Sequence, residues 1–214
     1  MQPYFIPYAG YFRLFAASDL FVVYDCVQFP RRGWVHRNRL PDRSGTLRWL
    51  TLPLERAPQD VLIRDLRFTS DAETLIAQRL RRFEVASITQ AGARGLIEAI
   101  GRVRGTPADY IVRILDYVVD YLELPRKMIR SSSLDVPPSL RGQDRILEIA
   151  RRVGARRYVN APGGRSLYDP GVFDKAGIEL HFLSDFPGAP ASILSRIMRE
   201  HRDEIAREIR ASIE

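Results

Sequence analysis

Apolar positions along this chain follow two rhythms in turn. Leu20 to Tyr24 is an unbroken apolar run of β-branched and aromatic residues, the pattern of a buried strand. Thr46 to Leu54 reads as a second strand, and Val61 to Phe68 alternates apolar with polar as a half-buried third. Met128 to Ser131, Arg157 to Asn160 and Ile178 to Leu183 are shorter strand-like runs. Between them the spacing becomes helical. Tyr11 to Phe15 is a short helix ended by Ser18-Asp19, and 71–84 sets Leu75, Ile76, Leu80 and Phe83 on one face. Residues 86–105 are helical in part. Thr106 then caps a helix with Pro107 at its first position, and Ile111, Ile114, Leu115, Val118, Val119 and Leu122 form its apolar stripe. Arg141 to Val153 is a helix stopped by Gly154, 170–176 is a helical turn stopped by Gly177, and 192–213 reads as one terminal helix. Strands alternating with helices predict an α/β fold. The expected form is a three-layer, Rossmann-like, largely parallel sheet in one domain over 1–214, with a helical elaboration around 71–122.

Composition narrows the function. A hydrophobic fraction of 45% over 214 residues is that of an ordinary globular protein. No apolar run approaches the ~20 residues that span a bilayer, and the start lacks a signal-peptide pattern, so a cytoplasmic protein is expected. One cysteine leaves no intrachain disulfide and no cysteine-based metal site, and three histidines far apart suggest no metal cluster. The sequence names no cofactor. The net charge of +7 comes from 33 basic and 26 acidic residues, and every basic residue except Lys127 and Lys175 is arginine. The arginines are scattered, often beside glutamates, and form no single tract. That speaks against nucleic acid as the partner and leaves room for phosphate-bearing small molecules.

Candidate chemistry gathers after the first strand, in YDCVQFPRRGWVHRNRL at 24–40. In open α/β sheets ligands bind at the carboxyl ends of strands. Cys26 is a candidate nucleophile if nearby positive charge favours its thiolate, and equally a small packed residue. His36 is a candidate general base oriented by Asp25, and equally a structural histidine. Asp25, Gln28, Arg32, Asn38 and Arg39 form a set that positions substrates, because arginine clamps anions and amides read hydroxyl or amide patterns. Two further polar segments also follow strands. Ser132 lies in a triple serine at 131–133, and Gly163-Gly164 lets backbone amides approach a phosphate or serves only as a tight turn.

The opening MQPYFIPYAGYFRLFAASDLFVVYDCVQFPRRGWVHRNRL resembles that of the WbqC-like protein family. That family carries a Q-P-Y-x-x-P-Y-x-G-Y-F run, a D-x-F-V-x-Y-D-x-V-Q strand and an R-x-W-x-x-R-N-R segment. SSSL at 131–134, RGQDRILEIARRVGARRYVNAPGG at 141–164 and RSLYDPGVFDKAGIELHFL at 165–183 extend the likeness over nearly the whole chain. It is weakest over about 55–125. The matching residues include Gln2, Tyr4, Asp25, Gln28, Arg32, Asn38, Arg39, Asn160, Gly163, Gly164 and Tyr168.

The resemblance implies a role in surface-polysaccharide clusters, with glycine transfer to a sugar as the suggested activity. The expectation is a transferase that delivers an acyl or aminoacyl group, free or carrier-protein-bound, to an amino or hydroxyl group of a sugar nucleotide. In it Asp25 or His36 takes the acceptor proton, and Cys26 stands as nucleophile. The chain departs from the family in two ways. Relatives begin a few residues earlier, with a short apolar strand before M-Q-P, whereas this chain starts at Met1, so that central strand is expected to be absent or cut off by start-site choice. Cys26 and His36 also occupy positions usually filled by other residues. A looser likeness to the H-x-G-H layout of nucleotidyl- and adenylyl-transferring enzymes puts Tyr8 and Tyr11 in place of the histidines. A binding module without turnover is the non-enzymatic alternative.

Overall fold

The computed structural model describes residues 1–83 and 91–213. Its elements alternate as the two rhythms predict. Helix α1 (Ala9–Ala16) is followed by β1 (Phe21–Val23), then a hairpin of β2 (Arg37–Pro41) and β3 (Leu47–Thr51). The helices α2 (Ala72–Leu80), α3 (Ala91–Gly101) and α4 (Pro107–Tyr121) make up the middle of the chain. Then come β4 (Met128–Arg130), α5 (Gly142–Arg152), β5 (Arg157–Asn160), α6 (Pro170–Lys175), β6 (Glu179–Phe182), α7 (Ile193–Ile197) and α8 (Arg202–Ala211).

The expected largely parallel sheet is divided. β1 pairs in parallel with β4, and β5 pairs in parallel with β6, while β2 and β3 are antiparallel. A mixed α/β fold with two short parallel pairs is therefore present, and among the described residues one continuous Rossmann-like sheet is not. The physical reason lies beside β1. Among the described residues its free side bonds only to Met1, whose terminal nitrogen donates to Val22 O at 2.8 Å while Tyr24 N–H donates to Met1 O at 2.8 Å. Below that point a groove of about 620 Å³ runs between the pairs, with Phe21 and Val22 on one wall and Tyr158 and Val159 on the other.

Two cores hold these pairs. The larger joins α1, β1, the hairpin, α3, α4, α7 and α8, with Phe12, Tyr110, Ile114 and Leu194 almost fully buried. The smaller packs α5 against β5 and α6 through Ile146, Ile149 and Phe173. Local signals explain the best-formed elements. Thr106 makes the full capping box of α4, accepting from Asp109 N–H while Asp109 accepts from Thr106 N–H. Gly154 ends α5 at a φ of 66°, a left-handed conformation that glycine adopts without steric cost.

Three expectations need correction. Val61 to Phe68 is not a strand: Ile63–Asp65 is a 3₁₀ turn between the isolated bridges of Leu62 with Gln28 and of Phe68 with Leu54. The terminal helix is broken, because His201 leaves helical geometry and caps α8 with its ring nitrogen. The polar segment at 24–40 does not merely follow a strand: from Arg37 it is itself a strand, paired with Thr51. The helical stretch expected over 86–105 falls partly on 84–90, outside the described residues; its remainder contains α3.

Candidate functional site

Asp25 follows β1, and its side chain is fully buried. A buried carboxylate is costly unless donors surround it. The end of β4 supplies them. Arg130 Nε donates to Asp25 Oδ2 at 2.6 Å, Ser132 Oγ to the same oxygen at 2.8 Å, and Ser132 N–H and Ser131 Oγ to Oδ1 at 3.0 Å each. Parallel pairing puts these residues together, because the register Val23↔Arg130 carries both chains past the sheet edge side by side. Arg130 also pairs with Asp109 of the α4 capping box.

Cys26 stands next to this hub. Its sulfur lies 3.0 Å from Ser131 Oγ and 3.1 Å from Arg145 Nη1. The buried Arg145 guanidinium also donates to Cys26 O, Leu140 O and Pro137 O, so its position is fixed by the backbone around it. A hydroxyl has one proton to give. Ser131 Oγ accepts from Asp25 N–H at 3.1 Å and from Cys26 N–H at 3.4 Å, so its one proton is shared between Asp25 Oδ1 and the Cys26 sulfur. The sulfur thus faces two donors, the Ser131 hydroxyl and the Arg145 guanidinium.

The rim is aromatic. Burial pushes the Tyr24 hydroxyl up to about 12, with Cys26 adding to the rise and Arg145 opposing it. Tyr168 and Tyr158 oppose their hydroxyls at 3.4 Å. Asn160, at the end of β5, is buried and accepts from Ala161 N–H at 2.8 Å. A Cβ on Gly164 would come within 2.5 Å of Asn160 Nδ2, so this glycine is required for close packing; a Cβ on Gly163 would meet nothing within 4 Å.

The other predicted residues sit elsewhere. Asn38 is buried and donates to Phe5 O and Ile6 O, at 3.0 and 2.8 Å, clamping the turn where Ile6 takes a φ of 41°. Its amide is thereby committed to the scaffold. His36 does not pair with Asp25: its Nδ1 is buried without a partner, and burial together with Arg37 lowers its pKa to about 4. Gln28 is exposed and donates to Gln59 O. Arg32 is exposed, and Arg39 lies over Trp49 on the hairpin. Gln2 O accepts from Tyr11 O–H, Tyr4 packs on Tyr11, and Tyr8 sets its ring against Phe186. Tyr11 is almost sealed from solvent, which removes one half of the H-x-G-H-like pair. Arg130 and Arg145 escaped the sequence reading. Arg145 carried a faint signal, since it lies one helical turn before the inward-facing Ile149.

Among the described residues, no three His, Cys, Asp or Glu side chains gather as metal ligands, and no helix is long and apolar enough to cross a membrane. No solved structure matches the chain significantly. A protein of Mycobacterium tuberculosis (strain ATCC 25618 / H37Rv) named "Uncharacterized protein Rv1507c" is 26% identical over 192 residues, covering 88% of this chain and 81% of that one. The family model described as "WbqC-like protein family" matches residues 2–187. The chain thus belongs to the WbqC-like protein family.

Proposed function

We propose that the protein is a transferase carrying an acyl or aminoacyl group, glycyl being the simplest, from an activated donor to an amino or hydroxyl group of a sugar nucleotide. The observation that carries this reading is the Cys26 sulfur held between Arg145 and Ser131 beside the buried Asp25. Cys26 sulfur attacks the donor's carbonyl carbon, and the leaving group departs with the proton that the thiol gives up. A thioester forms. The acceptor's amine or hydroxyl then attacks the same carbon, the C–S bond breaks, and sulfur regains a proton. That proton comes from the attacking amine or hydroxyl itself, Asp25 fixes the Ser131 hydroxyl, and Ser131 and Arg145 stabilise negative charge on sulfur by donating to it. Asn160 at the end of β5, the Gly163-Gly164 turn that follows and Tyr168 beyond that turn orient substrate.

Intact-protein mass spectrometry tests this reading. The protein is incubated with aminoacyl and acyl thioesters, then with amino sugars carried on nucleoside diphosphates. The expected result is a mass gain of one acyl group less one hydrogen, absent in Cys26→Ala and discharged by the acceptor. Transfer by Cys26→Ala at the wild-type rate sinks the covalent path.

A further inference from the structure

The hairpin carries an outward face that the reactive centre does not use. Its register puts Arg37 opposite Thr51, Arg39 opposite Trp49 and Pro41 opposite Leu47, so these side chains share one side of the ribbon. Trp34 reaches the same patch, 5.4 Å from the Trp49 ring. Trp34, Leu47 and Trp49 are 43, 58 and 39% exposed, and of the large exposed apolar residues among the described ones only Leu167 lies away from this patch. Two guanidiniums flank the Trp49 indole, with Arg37 and Arg39 at 4.3 and 4.6 Å from the ring centre. Stacking holds a guanidinium flat and leaves its N–H edge to bind. Arg37 spends part of that edge on Gly33 O and Arg32 O. Among the described residues, no carboxylate pairs with Arg32, Arg37 or Arg39, whereas Arg48 on the same ribbon is paired with Asp42.

Unpaired cationic edges beside exposed indoles match a ligand that joins phosphates to a ring. We propose that this Trp34–Trp49–Arg37–Arg39 face binds the nucleoside diphosphate part of a sugar nucleotide, phosphates on Arg39 and Arg32 and the base against Trp34. The proposal deepens the transfer reading and rests on it for the acceptor's identity.

The chain has two tryptophans, and both lie in this patch, so fluorescence excited selectively at tryptophan, beyond the tyrosine absorption, reports on it alone. Titration of the full chain with uridine diphosphate, a uridine-diphosphate amino sugar, inorganic pyrophosphate, the free amino sugar and oligothymidylate separates the possibilities. The expected result is saturable quenching by the two nucleotides at submillimolar concentration, weaker binding of pyrophosphate and none of the free sugar. Arg39→Gln raises the half-saturation concentration about tenfold, the worth of a charge-assisted phosphate contact, and Trp34→Leu abolishes base discrimination with Trp49 still reporting. Both residues are exposed, and unchanged near-ultraviolet circular dichroism of Arg39→Gln confirms an intact ribbon. Failure to saturate by ~10 mM, or equal affinity in Arg39→Gln, overturns the proposal. So does tighter, steeply salt-dependent binding of oligothymidylate, which marks a nucleic-acid surface. The two readings fail separately: Cys26→Ala leaves this titration unchanged, and Arg39→Gln leaves acyl loading on Cys26 unchanged.

Discussion

Arg130 Nε meets Asp25 Oδ2 at 2.6 Å, and this ion pair ties the carboxyl end of β4 to that of β1. Asp25 is fully buried, so removing its partner leaves a charge that water cannot reach. Arg130→Ala is expected to lower unfolding stability by about 3 kcal/mol, toward the lower end for breaking a buried pair because Arg130 itself is partly exposed. Urea denaturation measures the loss. A cost below ~1 kcal/mol would mean that the serines alone hold Asp25.

Asn38 gives its amide hydrogens to the fold. Its amide bonds two consecutive carbonyls around the left-handed Ile6, so Asn38→Ala should cost about 1–3 kcal/mol. Acyl loading per folded molecule should stay near wild type. Loading that collapses in a fully folded Asn38→Ala protein would return this residue to the reactive centre.

How much of this was legible in sequence depended on range. The start of α4 was readable because cap, proline and apolar stripe are all local. The break before α8 was not, since apolar spacing runs on through Ile193, Ile197, Ile205 and Ile209 with no glycine or proline at the interruption. Asp25 and the serines were visible as polar residues following strands. Their union, and the burial of Arg145, depends on parallel pairing and helix packing across more than a hundred residues. Asn38 looked like a ligand-reading amide because the carbonyls it satisfies lie over thirty residues away.

In a chain whose Met1 amine is free, that group gives a pH dependence. Burial lowers its pKa from 8.0 to about 5, so the folded state binds this proton less readily than the unfolded chain. Stability is full above pH 8 and falls as pH drops toward 5, by about 1.4 kcal/mol per unit in that window. His36, lowered to about 4, adds a loss in the same direction between about 6.5 and 4. Acetylating Met1, or joining a few apolar residues ahead of it to lie along the groove beside β1, removes the first slope and leaves the second. Stability that is flat between pH 8 and 6.5 in the free-amine chain would contradict the burial of this group.

Gly164 packs its α-carbon against Asn160. Gly164→Ala must displace the Asn160 amide, whereas Gly163→Ala meets open space. Turnover with acceptor is therefore expected to fall about tenfold or more in the first variant and little in the second, for a misplaced positioning group. Equal activities in steady-state assays would separate the β5 end from the site.

The central claim is that Cys26, Ser131, Asp25 and Arg145 form one reactive centre. Its most direct test is the rate at which Cys26 takes up an acyl group from a thioester donor, followed by intact-protein mass spectrometry in wild type, Ser131→Ala and Arg145→Gln. Stoichiometric loading is expected in wild type, with rates at least ~100-fold lower in both variants, the scale of a lost donor to a developing negative charge. No adduct on Cys26 in the wild-type protein, or loading that both variants leave unchanged, would contradict it.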